Sequence, residues 1–141
     1  MADAVELHAA VVARLQSQVP TVTVYDGDVP KNLPADASGR IYPYVVVWDS
    51  PGAFPATEAA TLGSVDYSAL EWACRATVAA GDLGWLRSAS SRVRKALLGY
   101  RPGSRLSGGL SDEDTVPVTQ KEPDTTPVRY YVPLVFTLGA P

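Results

Sequence analysis

Residues 67–99, YSALEWACRATVAAGDLGWLRSASSRVRKALLG, switch hydrophobic period partway through, and this switch constrains the fold more than any other feature of the chain. Leu70, Trp72, Cys74, Ala76 and Val78 alternate with Glu71, Ala73, Arg75, Thr77 and Ala79, the period-two pattern of a half-buried β-strand. Beyond Ala80-Gly81, Leu83, Leu86, Val93 and Leu97, with Ala89 and Ala96, fall on one side of a helix. Asp82 is placed to cap the helix N-terminus, and Gly99 to supply the left-handed residue after its end. The segment therefore predicts a strand feeding a helix that packs on a sheet. It brings no grouping of catalytic residues with it.

A second helix is expected over residues 3–19, where Ala4, Leu7, His8, Val11, Val12, Leu15 and Val19 share a face, Asp3 stands at the N-cap and Pro20 stops the run. Thr21–Tyr25 is β-branched and ends at the turn signal Asp26-Gly27. Residues 28–43 read as a loop. Tyr44–Asp49 follows as the most hydrophobic strand, and its consecutive valines 45–47 predict cover on both faces or a central place in the sheet. Thr115–Gln120 reads as a modest strand. Val128–Leu138 alternates well, with Pro133 predicting an edge or bulge.

Two long loops are expected, at 50–65 between two antiparallel strands and at 100–114, the latter Gly- and Ser-rich and read as mobile. The order helix, strand, strand, strand, helix, strand, strand predicts an α+β fold: a mostly antiparallel sheet of about five strands with two helices packed on one face. A single domain spanning residues 1–141 is expected from the length. Two helices leave the opposite sheet face with nothing from this chain to cover it, which argues for a partner.

The residues that carry chemistry are sparse. One cysteine excludes an internal disulfide, and its place on the apolar strand face predicts a small buried hydrophobe. His8 lies within the first helix's apolar face, with no sequence motif supplying a nucleophile or an orienting carboxylate, so a hydrogen-bonded histidine at the core margin is expected. No Cys or His pair has metal-ligand spacing, and Asp112-Glu113-Asp114 lacks the pattern of a calcium loop. The glycines around 103–109 lack the Gly-Lys-Ser/Thr of a phosphate loop. No catalytic residue, cofactor or metal is predicted, and no enzyme. The longest strongly apolar run, Tyr44–Trp48, is too short for a bilayer, and Asp3 and Glu6 stand where a secretory leader would be basic, so neither membrane nor export is expected.

Charge is divided along the chain. Arg87, Arg92, Arg94, Lys95, Arg101 and Arg105 gather on and after the second helix, while Glu58, Asp66, Asp112, Glu113, Asp114, Glu122 and Asp124 fall in loops or at strand ends. With a net charge of −3, a nucleic-acid surface is the weaker reading of the basic segment. A head-to-tail contact is the stronger one, a basic helix meeting a neighbour's acidic loops. Charge reversal at Arg94 and Lys95 is then expected to weaken assembly. The residues expected at the subunit or tail interface are Glu71, Arg75, Arg87, Arg92, Arg94, Lys95, Glu58, Asp112, Glu113 and Asp114.

Taken together, Val24-Tyr25-Asp26-Gly27-Asp28-Val29-Pro30, Tyr42-Pro43-Tyr44-Val45-Val46-Val47-Trp48, the strand ending Val78-Ala79-Ala80-Gly81, the helix ending Val93–Gly99 and the aromatic strand Tyr130–Leu138 give the chain a recognisable layout. It resembles the tail terminator (tail completion, or head-to-tail joining) proteins of long-tailed bacteriophages over nearly its whole length. The resemblance implies a structural virion protein, assembled in the host cytoplasm, that forms a homohexameric ring. Such a ring caps the tail tube, binding the tail tube protein on one side and the head–neck connector protein on the other, and lets DNA pass through its lumen without specific binding. Six copies at −3 each would place about −18 on the ring, which does not hold a phosphate backbone. The alternatives are another neck or minor tail component, a small hydrolase using loop carboxylates such as Asp112 and Asp114, or a nucleic-acid-binding module on the 87–105 segment.

Overall fold

The computed structural model describes residues 4–50, 72–102, 109–112, 117–123 and 126–138. In chain order the described elements are α1 (Ala4–Gln18), β1 (Thr23–Asp26), β2 (Tyr44–Asp49), β3 (Trp72–Ala80), α2 (Leu83–Leu97), β4 (Ser111–Asp112), β5 (Gln120–Lys121) and β6 (Tyr130–Leu138). The period switch lies where the sequence puts it, at the β3–α2 junction. Asp82 is extended at the N-cap and its carboxylate accepts from the Trp85 N–H at 3.0 Å, satisfying one of the helix's orphan donors. Beyond α2, Gly99 takes φ +79°, where a side chain would be strained.

The sheet runs β1-β2-β3-β6-β4, with β5 also paired to β6. All pairings are antiparallel except β1 with β2, which is parallel in the register Thr23↔Tyr44 to Asp26↔Val47. The fold is α+β with a mostly antiparallel sheet, as expected. The parallel pair is made possible by the chain returning from the end of β1 to the start of β2 through residues 27–43, since a parallel neighbour needs a crossover rather than a tight turn. β4 sits opposite Thr137 and Phe136, and β5 opposite Tyr131 and Tyr130. Among the described residues, the edge expected at Pro133 lies in the gap between these two short pairings.

Both helices pack on one face. Leu7, Val11 and Leu15 of α1 and Leu86, Val93 and Leu97 of α2 are buried against Val45, Val47, Cys74, Ala76, Val78, Leu134 and Phe136. Each fully buried leucine of this set contributes about 1.5–3 kcal/mol through burial. The four consecutive buried residues Tyr44–Val47 match the prediction of cover on both sides.

That cover corrects the expectation of a bare opposite face. Ile41 and, partly buried, Leu33 from the 27–43 crossover pack on Tyr44, Val46 and Ala79, with Tyr25 and Tyr131 beside them, in a second small apolar cluster. The loop carries no hydrophobic period, yet it closes one end of that face. Two further expectations change. Of the segment 115–120, residues 117–120 are described and among these Gln120 alone is in a strand, while Ser111-Asp112, read within a mobile loop, pairs with β6. Backbone bonds of 2.8 Å from Gly99 N to Leu110 O and from Leu110 N to Tyr100 O tie that strand's approach to the end of α2.

Candidate assembly surfaces

The cations expected at an interface are brought together by α2. Arg87, Arg92, Arg94 and Lys95 are all exposed, on the side turned away from the core stripe of Leu86, Ala89, Val93, Ala96 and Leu97. No acidic residue occurs within α2, so the helix carries an excess of positive charge on a chain of net −3. Arg75 is exposed on β3 while Cys74 and Ala76 beside it are buried, placing Arg75 on the sheet face opposite the helices. The structure thus separates Arg75 from the α2 cations by the thickness of the sheet. Glu58, Glu71, Glu113 and Asp114 lie outside the described residues, as does the 50–65 loop beyond Ser50, and Asp112 is described only as backbone in β4.

A groove of about 320 Å³ opens along the exposed flank of α2. Trp85, Ala89 and Arg92, spaced to share one helix flank, form one wall, and Val22, Tyr42 and Pro43 form the other. Tyr42 stacks on Trp85 with ring centroids 5.7 Å apart and is 48% exposed. Arg40 covers Trp85 at 4.7 Å and holds Asp36 at 2.9 Å and Asp82 at 3.3 Å, so the loop wall is fixed to the start of α2. Arg92 donates to Thr21 Oγ1 at 2.8 Å across the rim. The groove is preformed, mainly apolar and edged by an arginine.

At the other end of β1 and β2 the surface is acidic. His8 stands between two carboxylates, its Nε2 2.5 Å from Asp26 Oδ1 and its Nδ1 3.4 Å from Asp49 Oδ1. Each aspartate ends a strand of the parallel pair, so the imidazole ties α1 to that pair. The carboxylates that sequence reasoning did not supply for His8 are therefore present. Both are remote in sequence, and only the parallel pairing brings them to one place. Gly27 and the exposed Asp28, Val29 and Pro30 follow directly, beside the exposed Trp48.

Two further groups lie in or beside the sheet. The Cys74 thiol is 2% exposed, and burial, with a smaller contribution from Asp49, pushes its pKa up to about 12, so it is a poor nucleophile near neutrality. Arg129 donates to Glu122 and, at 3.0 Å, to the Tyr44 hydroxyl. Burial raises the Tyr44 phenol, while the Glu122 hydrogen bond raises the Arg129 guanidinium above its ordinary value. Among the described residues, no group of three or more His, Cys, Asp or Glu could hold a metal ion, and no helix is long and apolar enough to cross a membrane.

No family model and no curated protein sequence matches this chain. Among solved structures, its fold is similar to that of a chain in the virion of a native gene transfer agent (GTA) particle. The TM-score is 0.57 at 20% sequence identity, over 98% of this chain and 96% of that one.

Proposed function

We propose that this chain is a structural subunit of a phage-like virion, a tail terminator that closes the tail tube as a ring and offers its outer side to the neck. The observation that carries this reading is the similarity, across nearly the whole of both chains, to a chain of a gene transfer agent virion. The surfaces support it: a cationic helix and an apolar groove at one end of β1 and β2, and an acidic turn at the other, are parts suited to contacts between subunits rather than to a reaction. The chain acts, in this reading, by geometry and needs no cofactor.

The test is to add the purified protein to polymerising tail tube protein of the same virus and to measure tube length by electron microscopy. A terminator gives tubes capped at one end and shortens their mean length as its concentration rises. Tubes of unchanged length with no bound cap would overturn the reading. A neck or minor tail component would instead leave tube length unchanged while binding the head connector.

A further inference from the structure

The two ends of the β1/β2 pair are chemically opposite, and the parallel pairing is what makes them so. Thr21, Val22, Tyr42 and Pro43 precede both strands and belong to the arginine-edged groove. Asp26, Asp28 and Asp49 finish or follow them, with Val29 37% exposed and Trp48 46% exposed at the same end. Four residues of β1 separate the ends by about 13 Å of strand, so a chain does not reach its own groove with its own Gly27–Pro30 turn. A second copy does.

We propose that the Gly27–Pro30 turn of one copy docks in the groove lined by Val22, Pro43, Ala89 and the stacked Tyr42–Trp85 pair of the next, with Val29 and Pro30 on the apolar lining and Asp28 paired with Arg92. This rests on the self-assembly reading above and names the surfaces that would carry it. Charge selects the occupant. The groove lining carries the cation Arg92 and no carboxylate, and the turn is the exposed segment of described chain that joins an acid directly to an aliphatic residue and a proline. Gly27 at φ +77° turns the chain there, and the Trp48 ring, 3.6 Å from where a Cβ on Gly27 would stand, backs the turn. Because the two patches differ, the contact is heterologous: it propagates around a ring or along a filament and cannot close a two-fold dimer.

The experiment uses the full chain carrying Val29→Cys or Ser88→Cys, since Ser88 lines the groove and the native thiol is buried. The variants are treated with a short bis-maleimide at a concentration where light scattering shows assembly. Cross-linked dimer is expected when the two are mixed and not with either alone, and the doubly substituted chain should give a ladder. In parallel, Asp28→Arg and Arg92→Asp should each raise the assembly dissociation constant about tenfold, and the D28R/R92D chain should recover most of it. Assembly that persists with no cross-link in the mixture overturns this contact and leaves the ring reading standing. Equal cross-linking by one variant alone means a two-fold contact and overturns it also. A chain that stays monomeric throughout, on tubes as well as in solution, overturns both.

Discussion

The two helices lie on the same sheet face and bury equivalent leucines, yet they use their polar residues in opposite ways. On α1, His8 reaches Asp26 and Asp49, and Arg14 donates to the Ala96 carbonyl at 3.0 Å while lying 4.8 Å over the Tyr100 ring. Its polar side chains tie the helix to the sheet ends and to α2. On α2, four cations face outward and the flank holding Trp85 and Arg92 borders an open groove. The α1 side chains are engaged within the chain, whereas the α2 cations stay exposed even where, as with Arg92, they also reach a neighbouring loop. In the function proposed above, that contrast puts the assembly surface on α2 and the groove beside the parallel strand pair.

The contrast can be broken first in the core, where the helices should behave alike. Leu15→Ala in α1 and Leu86→Ala in α2 each empty a fully buried site and should cost about 2–5 kcal/mol in urea unfolding. A cost below about 1 kcal/mol for either would mean that its helix is not part of the shared core. Gly81→Ala comes next. A Cβ there would lie 2.5 Å from the Ile41 amide nitrogen, against backbone that cannot swing aside, so about 1–3 kcal/mol should be lost. Asp82→Ala should cost about 1 kcal/mol through the lost cap at Trp85, visible as a lower Tm. The smallest stability effect belongs to α2's outer face. Arg87→Glu with Lys95→Glu should leave unfolding within about 0.5 kcal/mol of the parent while weakening assembly. Equal losses in both measurements would erase the distinction between the helices.

Alkaline pH tests the core from another side. The Cys74 thiol titrates at about 12 when folded and near 9 when unfolded, so the unfolded chain releases its proton first. The thiol's contribution is intact below pH 9 and is lost as pH rises from 9 through about 12. A Cys74→Ala chain should therefore lose less stability over that window than the parent. Identical alkaline slopes would contradict the buried placement.

Period and caps made the central part of this fold legible. β2, β3, α2 and the long alternation of β6 follow directly from hydrophobic spacing, and Asp82 and Gly99 mark where α2 begins and ends. The parallel direction of β1 was not legible, because a four-residue strand carries no information about which neighbour it joins or how the crossover runs. β4 and β5, two residues each, are too short for any period. Ile41 and Leu33 close the opposite face from a loop whose apolar residues follow no repeat. The α2 cations were visible as charge on one segment. The groove beside them was not, since it needs Thr21, Val22, Tyr42 and Pro43 gathered at one end of a parallel pair.

Native mass spectrometry of the intact protein, with electron microscopy of the same sample, tests the central claim most directly. The account predicts a single closed species of six 15.0 kDa chains, about 90 kDa, seen as rings with a central hole, either free or on tail tubes. A mass of 15.0 kDa at every concentration, with tubes present and no ring on them, would contradict it.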